Sequence, residues 1–181
     1  RRNGKGVKTA NDINAAVIRT NTIDSLMIFT NQGRMYRILV DNIPSGTNST
    51  KGVPVQSLIT MEPNEIPVLM YSIYRDTDAK YVFFATKNGT VKKTSLDEYV
   101  KTKRKTGVAA ITLREGDKLA SVNLIKDEDI VMLTKQGMAI RFSSNEIAAS
   151  SRATIGIKGI DLKKDDEVVS VMTVRHDDDA L

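Results

Sequence analysis

The chain has 181 residues, 40% of them hydrophobic, enough for one domain with a substantial core, and 27 Lys and Arg against 22 Asp and Glu leave a net charge of +5. With no cysteine and a single histidine, His176, a disulfide framework, a thiolate metal site, a Cys nucleophile and a paired-histidine centre are excluded. No apolar run approaches the ~18 residues of a membrane span and no signal-peptide pattern opens the chain, so it reads as a piece of a larger cytoplasmic protein.

The first ten residues carry Arg1, Arg2, Lys5 and Lys8 and no acid, with Gly4 and Gly6 interleaved. Next come two short runs rich in β-formers, Leu26 to Phe29 and Arg34 to Leu39, joined by Thr30-Asn31-Gln32-Gly33. Such a polar turn ending in glycine predicts a β-hairpin, because glycine reaches positive φ cheaply. A polar basic loop, Pro44 to Lys51, leads to Gly52 and a short strand through Val55; an acidic turn, Glu62 to Glu65, precedes a strand opening at Ile66.

The same order recurs twice. Thr86-Lys87-Asn88-Gly89 and Thr134-Lys135-Gln136-Gly137 join the runs Tyr81 to Phe84 with Thr90 to Lys93, and Ile130 to Leu133 with Met138 to Arg141. Basic loops follow at Lys101 to Thr106 and Ser150 to Thr154, then strands opening at Gly107 and Gly156. Acidic turns at Glu115-Gly116-Asp117 and Lys164-Asp165-Asp166 lead into Leu119 and Val168. A period of roughly 50 residues with landmarks in phase predicts a repeat architecture. Repeats run at roughly 21–72, 77–124 and 125–172, with partial units at both ends. Four strands per unit and weak helical periodicity predict an all-β, propeller-like disc in which no helix exceeds about two turns. WD40 blades are disfavoured by the absence of Trp, and the kelch motif does not match.

One cation stands four residues after each turn glycine: Arg37, Lys93 and Arg141, with Lys92 beside the second. The loops add Lys51, then Lys103, Arg104 and Lys105, then Arg152. Cations recurring in phase predict a basic track for a polyanion, so these residues and Arg1, Arg2, Lys5 and Lys8 are the candidate contacts to it. Glycines between the N-terminal cations let the backbone come close to a phosphate. The residues alone also fit a propeller that binds protein, or an enzyme with its site on the blade axis; no nucleophile and base stand at catalytic spacing to favour the second. Acidic turns and the run Asp177 to Asp179 read as solvated loops rather than metal ligands, and Gly4-Lys5-Gly6 is too short for a P-loop.

Residues Arg1-Arg2-Asn3-Gly4-Lys5-Gly6-Val7 resemble the Gln-Arg-Arg-Gly-Gly-Lys-Gly box that marks the C-terminal domain of the DNA gyrase A subunit. The leading Gln is absent and Asn3 replaces the first Gly of the pair. Phe29 to Arg37, Ile43 to Pro54, Arg114 to Asp117 and Leu133 to Gly137 also resemble segments of that family, in the same order. The resemblance implies a partial β-pinwheel over residues 1–181, a disc of blades that share strands and carry a basic rim. It further implies sequence-nonspecific wrapping of double-stranded DNA for ATP-dependent negative supercoiling. The expected partners are the A-subunit cleavage domain and the ATPase B subunit, in a cytoplasmic, nucleoid-associated enzyme. ATP and Mg would belong to that parent, with no cofactor here. The catalytic tyrosine of such enzymes lies in the cleavage domain, so Tyr36, Tyr71, Tyr74, Tyr81 and Tyr99 are expected to be structural. The related topoisomerase IV A subunit, whose box is degraded or absent, is the alternative relative.

Overall fold

The computed structural model describes residues 18–47, 49–73, 77–101 and 106–175. Each Thr-x-x-Gly closes a hairpin. Strands β1 (Ser25–Thr30) and β2 (Arg34–Leu39) pair antiparallel, as do β4 (Tyr81–Thr86) with β5 (Thr90–Ser95) and β8 (Asp129–Thr134) with β9 (Ala139–Ser143). In every turn the glycine N–H donates to the threonine carbonyl at 3.0 Å. The glycines hold φ of +71°, +81° and +83°, a region costly to residues with a Cβ, which explains Gly at the fourth place of all three turns.

A third strand from each unit returns beside the first of its hairpin: β3 (Pro67–Ile73) on β1, β7 (Leu119–Ile125) on β4 and β11 (Val168–Val174) on β8. Pro67 is tolerated because β3 is an edge strand. The fourth strand does not come from the same unit. Strand β6 (Val108–Ala109) crosses to pair with β2, and β10 (Ile157–Lys158) crosses to pair with β5. The sheets therefore run β3-β1-β2-β6, β10-β5-β4-β7 and β11-β8-β9. The repeat pattern predicts four strands drawn from one unit; the structure gives three of its own and one lent to the unit before. The pattern also predicts such a strand at residues 52–55, and none forms there. Pro54 has no N–H to give a ladder, and Val55–Ser57 turns into a 3-10 helix.

Lending strands locks neighbouring sheets face to face. Met27, Phe29 and Met35 of the first unit pack with Val82, Phe84, Tyr99 and Ile111 of the second. Phe29 and Phe84 meet edge to face at 5.6 Å between centroids. Phe83, Val91 and Ile125 of the second unit pack with Ile130, Met132, Ile147, Ile160 and Val168 of the third. Side chains alternate along a strand, so Phe83 and Phe84 enter opposite cores and β4 must be apolar on both faces. Truncating a buried Phe of this kind costs about 3–5 kcal/mol. Helix is limited, among the described residues, to one α-turn, α1 (Asp97–Val100), and 3-10 turns at Val40–Asn42, Val55–Ser57 and Ser144–Glu146. No helix among them is long and apolar enough to cross a membrane.

Candidate nucleic-acid interface

The strand cations and the loop cations have different surroundings. Arg37, Lys93 and Arg141 stand opposite Met27, Phe83 and Val131 in the hairpin registers. Each leans toward the residue two places earlier on the facing strand. Arg37 Nε donates to Ser25 Oγ at 3.0 Å, the Lys93 ammonium lies 4.7 Å from the Tyr81 ring centroid, and Arg141 Nε donates to Asp129 Oδ2 at 2.7 Å. The first two also reach the helical turn of the next unit. Arg37 Nη1 donates to the Val100 carbonyl at 2.6 Å and Lys93 Nζ to the Ser144 carbonyl at 2.8 Å. They are clasps between units.

Lys93 is only 6% exposed, and burial lowers its pKa. Lys92, at 1% exposed, donates to the carbonyls of Ala110, Ser151 and Arg152 at 2.9, 3.0 and 2.6 Å. Burial drives its pKa down to about 8, opposed by the Glu98 carboxylate. The sequence pattern makes Lys92 and Lys93 phosphate contacts; in the structure both ammonium groups point inward and are occupied by carbonyl oxygens. Phosphate would have to displace those carbonyls from a closed interior. Arg37 is half-buried and doubly engaged, while Arg141 remains exposed beside Asp129.

Of the loop cations, Lys51 and Arg152 are among the described residues. Lys51 is exposed. Arg152 is half-buried, its guanidinium 3.8 Å from Glu98 Oε2, in a loop fixed at both ends. Ser150 N–H donates to the Lys93 carbonyl at 2.9 Å, and Thr112 donates through its N–H to the Thr154 carbonyl at 3.0 Å and through its hydroxyl to the Ala153 carbonyl at 3.1 Å. This loop precedes lent strand β10 and so lies along the seam between units; Lys101 opens the corresponding stretch of sequence before β6. Lys101 is exposed, 3.1 Å from Asp97, and sequence reasoning passed over it because it starts the loop. Arg34, also passed over, ties the same seam by donating to the Gly107 carbonyl at 2.8 Å. Arg1, Arg2, Lys5, Lys8, Lys103, Arg104 and Lys105 lie outside the described residues.

Acidic turns pack on the hairpin turns of their own units. Asp117 Oδ1 accepts from Asn88 N–H at 3.0 Å, and Asp166 Oδ1 from Gln136 N–H at 2.9 Å. Desolvation pushes the Asp166 pKa up, but the Thr134 hydroxyl and the N–H groups of Gln136 and Glu167 more than offset it and hold the carboxyl below its usual value. Glu65 accepts from the Thr30 and Tyr36 hydroxyls at 2.6 and 2.5 Å. These acids serve as turn locks, and among the described residues no group of three acidic, His or Cys side chains is arranged to hold a metal ion.

Residues 24–65, 80–126 and 128–175 match the family model described as DNA gyrase C-terminal domain, beta-propeller. Over 99% of its length the chain is 34% identical to the DNA gyrase A subunit of Lawsonia intracellularis, covering 22% of that protein. Over all of its length it is 36% identical to the DNA gyrase A subunit of Chlamydia muridarum, covering 23%. The chain thus spans less than a quarter of these relatives. Among solved structures, the C-terminal domain of DNA topoisomerase IV superposes with a TM-score of 0.76 at 27% identity, over 90% of this chain and 50% of the other. The DNA gyrase A C-terminal domain superposes with a TM-score of 0.72, also at 27% identity, over 86% of this chain and 50% of the other.

Proposed function

The chain belongs to the DNA gyrase C-terminal domain family, and from that premise we propose that it binds double-stranded DNA without sequence preference and bends it along the cation-bearing loops. The observation that carries this reading is a cation-bearing loop in every unit: Lys51 in the first, Lys101 with Lys103, Arg104 and Lys105 in the second, Arg152 in the third. Lys and Arg on phosphates fix position without reading bases. Bending a short duplex costs several and up to about 10 kcal/mol, which no single exposed ion pair supplies and several spaced contacts do. Arg1, Arg2, Lys5 and Lys8 would extend the track. In the parent enzyme the bent segment would be handed to an A-subunit cleavage domain and its passage driven by an ATPase B subunit, with Mg and ATP held there. The same domain in the topoisomerase IV A subunit is a second reading, supported by the TM-score of 0.76 to that solved domain; a box that departs from its pattern in the visible residues only at Asn3 favours gyrase.

Fluorescence anisotropy with mixed-sequence duplexes at graded salt tests the proposal. Affinity should fall linearly in log–log form with salt, at a slope of about −0.9 per phosphate neutralised, and should be equal across unrelated sequences. Salt-independent binding, or preference for one sequence, would reject it.

A further inference from the structure

The hairpin of the second unit buries a positive charge that its neighbours do without. The position of Lys92, three residues after the turn glycine, is Tyr36 in the first unit and Ile140 in the third. The Lys92 ammonium has three hydrogens and meets three carbonyls, those of Ala110, Ser151 and Arg152, with the Phe84 ring centroid 5.4 Å away. The Tyr99 hydroxyl donates to the same Ala110 carbonyl at 3.0 Å, and Glu98 and Arg152 are the charged side chains facing the site. Two of the three acceptors belong to the loop that displays Arg152.

We propose that Lys92 is a positioning residue for duplex binding: its ammonium gathers the Ser151 and Arg152 carbonyls and thereby fixes where the Arg152 guanidinium stands on the seam. This rests on the duplex-binding reading above. A buried charge is a costly way to fill a core, and its best-attested use is to select one arrangement over its competitors. Here the selected arrangement is that of an otherwise polar, solvent-edged loop. Without the ammonium, the Ser151 carbonyl keeps only the Thr154 hydroxyl at 2.8 Å and the Arg152 carbonyl must turn toward water, which carries the Arg152 backbone away from Glu98 and from the seam. Gly156 marks the close fit at the far end of the loop, since a Cβ there would stand 2.4 Å from the Val91 carbonyl oxygen and 3.1 Å from Lys92 Cβ.

The test combines amide hydrogen exchange with a double-mutant cycle on the 181-residue chain and a mixed-sequence duplex. In Lys92→Met, amides 150–156 should exchange at least about tenfold faster while the hairpin strands keep their protection. Arg152→Ala should weaken duplex binding about fivefold in the parent chain and have no further effect in Lys92→Met. A loop as protected as before, or an Arg152 effect of equal size in both backgrounds, overturns the proposal. If neither chain binds duplex yet the loop is released, the duplex-binding reading falls and the clamp on the loop stands. Should Lys92→Met fail to fold, Thr112→Val removes the hydroxyl bond to the Ala153 carbonyl from the opposite side. It should release the same amides and reduce the Arg152 effect; a loop unmoved there would count equally against the proposal.

Discussion

At the scale of single residues, one type of side chain has two fates in this chain, and neighbours decide between them. Lys93 and Arg141 occupy the same register position, but Lys93 is covered by the third unit and Arg141 is not. Lys93→Glu should therefore cost about 3–5 kcal/mol in urea unfolding, since it buries a carboxylate against the Ser144 carbonyl and the Tyr81 ring face. Arg141→Glu should cost less, about 1–2 kcal/mol, because Arg141 itself is exposed although its partner Asp129 is buried. Equal costs would show that the two positions are equivalent after all. Lys92 makes a second prediction through its pKa, lowered to about 8 in the folded chain from 10.5. Below about pH 8 the amine is protonated in both states and adds no slope. Between about 8 and 10.5 only the unfolded state holds the proton, so stability rises with pH. Relative to Lys92→Met, the parent should gain roughly 1–3 kcal/mol from about pH 7 to about pH 10.5, read by urea unfolding at both values. The charges themselves were legible in the sequence, but their burial was not. Alternation predicts that of two adjacent lysines one faces out, and both are buried here because β5 has neighbours on both faces.

At the scale of elements, the hairpins were legible because their signals are local: a β-rich run, a polar turn, and glycine at the one place requiring positive φ. The strands after Gly107 and Gly156 were legible too, but not their loan to the unit before, since β6 and β10 are two residues long and exist only through a ladder with another unit. Glycine substitutions separate these two kinds of constraint. Gly33 and Gly137 both hold positive φ, but a Cβ at Gly33 would stand 2.2 Å from the Ile111 carbonyl oxygen and one at Gly137 meets nothing within 4 Å. Gly137→Ala should cost only the left-handed backbone penalty of about 1–2 kcal/mol, and Gly33→Ala a further ~1–3 kcal/mol from forcing the units apart. Gly107 and Gly52 give the same contrast without the φ penalty. Gly107 rests on the Tyr36 ring, with a Cβ placed 2.5 Å from its Cζ, whereas Gly52 is open. Gly107→Ala should lower the melting temperature by several degrees and Gly52→Ala should leave it unchanged. A melt in which both behave alike would mean that the lent strand does not depend on that approach.

For the whole molecule, separating clasp cations from loop cations changes how a duplex would be held. If the strand cations formed the track, contacts would lie within each sheet. With Lys92 and Lys93 inside and Arg37 engaged by the next unit, Arg141 is the strand cation left exposed, and the loop cations recur once per unit along the sequence. A duplex following them is touched at intervals and must curve between contacts, which is the geometry wrapping requires. Replacing Lys51, Lys103, Arg104, Lys105 and Arg152 by Ala should leave the melting temperature within about 2–4 °C, because Lys51 is exposed and the partly exposed pair of Arg152 with Glu98 adds little to stability. The salt slope should fall by about 0.9 for each phosphate that is no longer neutralised. Bending should fall more steeply than affinity, because elastic strain concentrates on the outermost contacts and releasing them straightens the ends first. Energy transfer between dyes at the two ends of a duplex, measured at saturating protein, reads that bend directly. A variant that binds weakly but bends as fully as the parent would place the contacts elsewhere on the disc, and Arg141 with the N-terminal cations would be the next set to remove.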